Sequence, residues 1–172
     1  MTSVAPETQV STIEQSASVG ASAASDDNCA LCDAELSAWR GLLRVHACVL
    51  KRLDAALEEA HGLQLTSYEV LTQLAEAPQQ RMRMCDLAKS VMLSRSGMSR
   101  LADRLEREGL LRRCACTADA RGQYACLTPE GRELLEAARP THLAGVRSAF
   151  LAQFEQDELQ LLGQYWSRLL PA

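Results

Sequence analysis

The chain has 172 residues, 47% of them apolar, 23% charged and 4% aromatic, with five prolines and nine glycines; that suits one globular domain plus a tail and excludes a fibrous or wholly disordered protein. No apolar run approaches the length of a membrane span, and no basic start precedes an apolar core, so the sequence reads as cytoplasmic rather than membrane-bound or secreted. The net charge of −4 conceals an asymmetry: residues 1–39 hold six acids and no Lys or Arg, whereas 81–121 hold ten bases against five acids.

Residues 1–28 are rich in Ser, Ala and Thr, lack periodicity, and read as a flexible tail ahead of one domain over 29–172. A long amphipathic helix is predicted over about 33–60, because Leu36, Trp39, Leu43, His46, Leu50, Leu53 and Leu57 recur at three- and four-residue steps. His61-Gly62 ends it. Thr66-Ser67-Tyr68-Glu69 reads as a capping box that opens a second helix, which Pro78 closes. A short helix near 85–91 follows, then a tight Met92-Leu93 link. Ser94 is the expected N-cap of a fourth helix, and Gly109 its C′ residue, with Leu110 folding back on Leu105. The period then changes: Leu111–Cys116 and Gln123–Leu127 read as two strands of a hairpin with a charged tip. Thr128-Pro129 starts a further helix, with a break or kink at Pro140, and a last helix covers about 156–170.

The predicted fold is mainly α. It is a winged helix-turn-helix with a β-hairpin wing, spanning 66–128 and flanked by helices at 33–60 and 129–170. Those flanking helices carry more apolar surface than so small a core can cover, which predicts a dimer. Trp39, Leu43, Phe150, Phe154, Tyr165 and Trp166 are interface candidates that could equally belong to the core.

Sixteen of the eighteen bases are Arg, whose forked guanidinium suits phosphates and guanine edges. On the predicted fourth helix, Ser94, Arg95, Ser96, Ser99 and Arg100 lie on its first turn and a half, opposite Met98, Leu101 and Leu105. That is where a recognition helix meets base edges in the major groove. Gly97 would let the backbone approach DNA closely. The blander alternative is a solvated helix face.

Several motifs stand in series. They are Asp86-Leu87-Ala88, the stretch from Leu93 to Leu101, Leu105-Glu106-Arg107-Glu108-Gly109-Leu110-Leu111-Arg112-Arg113, Asp119-Ala120-Arg121, and Leu127-Thr128-Pro129-Glu130-Gly131. Together, over about residues 36–170, they resemble the MarR family of bacterial transcription regulators. The resemblance implies that Arg121 reaches the minor groove while Asp119 helps to hold it. Where relatives often have a second basic residue, this chain has Gly122, so wing affinity would either be weaker or depend on Arg112 and Arg113. It also implies a homodimer on double-stranded DNA, with a pseudo-palindromic operator, and favours repression. A small aromatic or phenolic acid would release it from a cleft between the dimer helices and the DNA-binding lobe. Trp39, Arg40, His46 and Tyr68 are the candidates to line that cleft, although His46 could be a core histidine.

Seven cysteines without a secretory context argue against a disulfide framework and leave apolar fillers, redox thiols or metal ligands. Cys29 and Cys32 lie just before the first long helix, where some peroxide sensors of the family carry a reactive thiol. Cys85 stands where relatives often have a Ser helix cap. Cys114 and Cys116 share one face of a strand opposite Cys126, so oxidation could tilt the wing and release DNA. Cys48 and Cys126 could equally be small core residues. A four-cysteine zinc site would need pairs from different lobes to converge, so no metal or cofactor is expected. Phosphate-cradling loops, nucleophile elbows and metal-binding His pairs are absent from the sequence, which excludes the familiar enzyme classes. The rival reading is a winged-helix adaptor that binds protein and not a specific DNA sequence.

Overall fold

Helix α1 (Asp33–His61) leaves most of its apolar stripe uncovered, with Trp39, Leu42, Leu43, Val45 and Leu50 exposed, and only Leu53 and Leu57 near its end are buried. Gly62 turns the chain out of it at φ +61°, a left-handed conformation that costs glycine little. The computed structural model describes residues 30–115 and 123–170. After α1 come α2 (Leu65–Glu76), β1 (Arg81–Arg83), α3 (Met84–Ser90), α4 (Arg95–Arg107), β2 (Leu111–Ala115), β3 (Gln123–Leu127), α5 (Pro129–Ala149) and α6 (Gln156–Leu169). Single 3₁₀ turns occupy Pro78–Gln80 and Leu151–Gln153. This is the expected winged helix-turn-helix between long flanking helices.

The core lies inside the winged lobe. Leu57, Val70, Leu71, Leu74, Leu87, Met98, Leu105, Leu111 and Leu135 meet there, drawn from five helices and a strand. Burying a Leu side chain contributes about 2 kcal/mol, so these residues hold the lobe together. Beyond the lobe, α5 continues along α1, and Gly145 allows the close crossing beside Leu53.

Four local expectations need correction. Thr66 lies inside α2 and caps nothing. The helix begins one residue earlier, and its Leu65 N–H donates to Asp54 Oδ1 of α1 at 2.7 Å. The cap comes from another helix, so no local motif announces it. Pro140 does not end α5, which runs through it to Ala149. Leu135 and Ala138 before it and Val146 after it pack against the same core, and that packing outweighs the lost backbone bond. Among the described residues the sheet has three strands, in the order β1-β3-β2, all antiparallel. Strand β1 is only three residues long and owes its existence to pairing with β3, a partner forty residues away that periodicity cannot see. Finally, α3 starts at Met84 behind Arg83, so Cys85 sits in its first turn and is not its cap.

Other expectations are met in detail. Ser94 caps α4, its Oγ accepting the Gly97 N–H at 3.1 Å. Gly109 has φ +75°, and the Leu110 N–H returns to the Leu105 carbonyl at 2.8 Å. Thr128 caps α5 by accepting the Gly131 N–H at 3.0 Å.

Candidate nucleic-acid interface

Helix α4 divides cleanly. Met98, Ala102 and Leu105 are buried, while Ser94, Arg95, Ser96, Ser99 and Arg100 are exposed on the other side. Among the described residues, neither Arg95 nor Arg100 is held in an ion pair or hydrogen bond, so both guanidiniums remain available to a ligand. The helix terminus favours an anion. α1, α3, α5 and α6 each carry an acid in the first turn; α2 and α4 have none, and α4 begins with Arg95. The positive end of the helix dipole is thus left uncompensated beside two arginines.

Ser94 is occupied in capping, and its Oγ also lies 3.2 Å from Ser96 Oγ. Gly97 has a local reason beyond close approach to DNA: a Cβ there would stand 3.1 Å from Ser94 Oγ and crowd the cap.

Two further arginines fix the orientation of α4, and no local pattern signals either role. Arg104 donates to Gln64 Oε1 at 2.7 Å and to the buried Ser67 Oγ at 2.6 Å, which ties α4 to the start of α2. Arg113 of β2 reaches back to α4, 2.6 Å from Asp103 Oδ1 and 3.3 Å from Glu106 Oε2, and donates to the Ser99 carbonyl at 3.3 Å. Its own N–H donates to Glu106 Oε1 at 2.9 Å. Arg113 therefore holds β2 to α4 and is engaged within the chain; Arg112, on the opposite face of β2, is exposed. Asp119 and Arg121 of the wing tip lie outside the described residues, as do Cys29 and Cys116.

The cleft candidates separate. Tyr68 is buried and stacks on His142 of α5, with ring centroids 4.4 Å apart. Trp39, Arg40 and His46 are exposed on the first half of α1, so His46 is not a core residue of this chain. Next to the stack, His61 Nε2 lies 2.8 Å from Thr141 Oγ1, linking the end of α1 to α5. Burial holds the His142 imidazole below its ordinary value, and its Nδ1 has no partner among the described residues. Burial likewise pushes the Glu69 carboxyl up.

The His142 shift has a pH consequence. A depressed imidazole means that the unfolded chain binds more protons than the folded one as pH falls below about 6.5, so this contribution to stability is present above that value and lost on acidification. The Tm of the protein is expected to fall between about pH 7 and about pH 5, with a shallower slope in His142→Phe, which keeps a ring against Tyr68. Glu69 acts in the opposite sense but is present in both proteins and cancels. Identical slopes by thermal denaturation would clear His142.

The cysteines also part company. Cys32, Cys48 and Cys85 are exposed and free, so Cys48 is no core filler. Cys85 Sγ donates to Asp86 Oδ1 at 3.6 Å. The Cys32 N–H donates to Glu35 Oε2 at 2.8 Å, which holds that carboxyl below its ordinary value. Cys114 is disulfide-bonded to Cys126, and Cys126 is buried; a single bond between adjacent strands is not the multi-bridge framework that the cysteine count argued against.

Comparison with known proteins agrees with this geometry. The MarR family model matches residues 63–122, the stretch from the loop before α2 to the wing. The crystal structure of AbsC, a MarR family transcriptional regulator from Streptomyces coelicolor, is 36% identical, with a TM-score of 0.77 over 81% of this chain and 93% of that one. Sco3205, a MarR family transcriptional regulator from the same organism solved in complex with DNA, is 34% identical, with a TM-score of 0.78 over 83% and 92%. The homoprotocatechuate degradative operon repressor of Escherichia coli is 31% identical over 102 residues, 59% of this chain and 67% of its own length.

Proposed function

The chain belongs to the MarR family of DNA-binding transcriptional regulators, and from that premise we propose that it acts as a homodimer that grips a pseudo-palindromic operator and represses the promoter it covers. The observation that carries this reading is α4, which is capped, anchored on its inner face, and exposed along a row of Ser and Arg with no acid at its start. The proposed contacts are Arg95, Ser96, Ser99 and Arg100 in the major groove, with Ser94 as the cap that orients them. Asp119 and Arg121 act at the wing by family resemblance.

The dimer reading is supported by apolar surface that the chain leaves uncovered. No residue of α6 is buried. Trp39, Leu43, Tyr165 and Leu169 are 53%, 50%, 46% and 70% exposed. A second copy laid along α1 and α6 removes that surface from water. Phe150 and Phe154 pack against each other as a tilted pair, ring centroids 5.2 Å apart, so part of their surface is already satisfied within the chain.

Repression is supported by the relative named as an operon repressor. The effector reading, an aromatic or phenolic acid, rests on the Tyr68–His142 stack at the α2–α5 contact. Trp39, Arg40 and His46 would join such a cleft only where the dimer brings them to it. Ligand binding there would act by favouring a dimer with the wrong spacing of its two α4 helices.

The experiment is capture of genomic fragments followed by footprinting, with sedimentation of the free protein. The expected result is a dimer protecting two symmetric half-sites about one helical turn apart, with affinity falling steeply as salt rises. A folded monomer, or a protein whose duplex affinity ignores salt, overturns it in favour of a protein-binding adaptor.

A further inference from the structure

Two helices of the winged lobe end in the same way. At the end of α4 the Gly109 N–H donates to the Glu106 carbonyl at 3.1 Å and the Leu110 N–H to the Leu105 carbonyl at 2.8 Å. At the end of α3 the Met92 N–H donates to the Lys89 carbonyl at 3.1 Å and the Leu93 N–H to the Ala88 carbonyl at 2.8 Å. This pair of bonds needs a left-handed residue at the turn. Gly109 supplies it at φ +75°, and Met92 at φ +54°. Glycine adopts that conformation freely, whereas an L side chain brings its Cβ against the following carbonyl oxygen.

Packing does not offset the strain at Met92, whose side chain is 90% exposed. Leu93 beside it packs against the core and makes the apolar contact of the turn. Among the described residues, the other large apolar side chains left in water lie before α1, on α1, on α5 or beyond it, so Met92 is the one such residue of the winged lobe. Its neighbours mark what it faces. It stands two residues before Ser94, the cap of α4, with exposed Lys89 on one side and exposed Arg95 on the other. No acid occurs from Lys89 to Arg100. A recognition helix that enters the major groove by its N-terminus carries this turn to the edge of the groove. The apolar feature found there is the C5-methyl group of thymine. The unbranched, polarisable thioether chain of Met suits such a contact.

We propose that Met92 is a specificity-determining residue that packs against a thymine methyl at the edge of the major groove in each half-site of the operator. This rests on the DNA-binding reading above. The Ser and Arg side chains of α4 read base edges through hydrogen bonds, and Met92 reads the one base group that offers none. A base without that methyl leaves the thioether chain against water or a polar edge, which disfavours the site. The turn therefore gives up the relaxed backbone that glycine would have in order to hold an apolar group out toward DNA, as strained positions at functional sites do. Stability and binding then make opposite demands on this residue. Glycine suits the turn, and methionine suits the duplex.

The test compares the full chain with its Met92→Gly and Met92→Leu variants on the captured operator fragment. Met92→Gly should bind about fivefold to thirtyfold more weakly, counting both half-sites. Its Tm should be unchanged or raised by up to about 4 °C, because the turn relaxes. Met92→Leu keeps an apolar chain and should retain most of the affinity. Each thymine of the operator is then replaced in turn by deoxyuridine, which lacks only the methyl group. The wild type should lose about threefold to fivefold at one symmetric pair of positions, and Met92→Gly should lose nothing there. Equal affinity of the wild type and Met92→Gly, a lowered Tm in Met92→Gly, or a wild type indifferent to every deoxyuridine overturns the proposal. So does a Met92→Gly protein that sediments as a monomer yet keeps its duplex affinity, which would assign Met92 to a protein contact. Failure to capture any duplex sinks the regulator reading and this consequence with it, whereas an operator bound alike by both proteins sinks Met92 alone.

Discussion

Gly131→Ala should destabilise the protein by about 3 kcal/mol, although it adds one methyl group and improves helix propensity. Gly131 sits in the first turn of α5, against the end of the α4–β2 turn. A Cβ there would overlap the Leu110 carbonyl oxygen, stand 2.9 Å from its carbon, and press Leu127 Cδ1 at 3.1 Å. The obstacle is backbone, so a rotamer change does not relieve it. That backbone is also fixed by its partners: the Thr128 N–H donates to the Leu110 carbonyl at 3.3 Å, and Thr128 Oγ1 donates to the Gly109 carbonyl at 2.7 Å. Opening the contact loosens the α5 cap and the start of the wing together. For a chain of this size the loss corresponds to a Tm lowered by about 6–12 °C. Gly145→Ala is the control, because its Cβ would meet only Leu53 Cδ2, at 2.6 Å, the end of a flexible side chain. A Gly131→Ala protein that melts with the wild type would remove this account of the Leu-Thr-x-x-Gly motif.

That motif shows what could be read from the sequence. Its Thr and Gly act within a few residues of each other, as do Ser94 with Gly97, and Gly109 with Leu105 and Leu110. Each of these signals is local, and each predicted element boundary that rests on one is where the structure has it. The misses have the opposite character. The cap of α2 is Asp54, eleven residues upstream on another helix. The strand β1 exists through β3. The continuity of α5 through Pro140 depends on packing along both halves of the helix. Arg104 and Arg113 looked like members of a basic surface, yet their hydrogen bonds reach Ser67 and Asp103 and make them the braces of α4. Charge counting cannot separate a brace from a reader. That takes the partner list, which only the fold supplies.

The same distinction sets the last prediction. Arg100→Ala should weaken binding to the preferred operator by about 1–3 kcal/mol, roughly fivefold to 150-fold, and narrow the gap between preferred and altered sites. Arg100 is exposed, unpaired among the described residues, and on the turn that faces away from Met98 and Leu105. Arg100→Lys keeps the charge but loses the planar fork, so it should retain the salt dependence and still lose discrimination. Arg112→Ala should behave otherwise, weakening all duplexes alike and reducing the salt slope by about one phosphate-equivalent. Arg113→Ala should impair binding through the loss of its hold on Asp103, Glu106 and the Ser99 carbonyl, and so should lower Tm as well. Titration of the four variants against the preferred and one altered operator, at two salt concentrations and beside melting curves, separates reading from anchoring and bracing. If Arg100→Ala kept both its affinity and its selectivity, α4 would not be reading bases through Arg100, and the row of exposed Ser and Arg would be the solvated face of a surface helix.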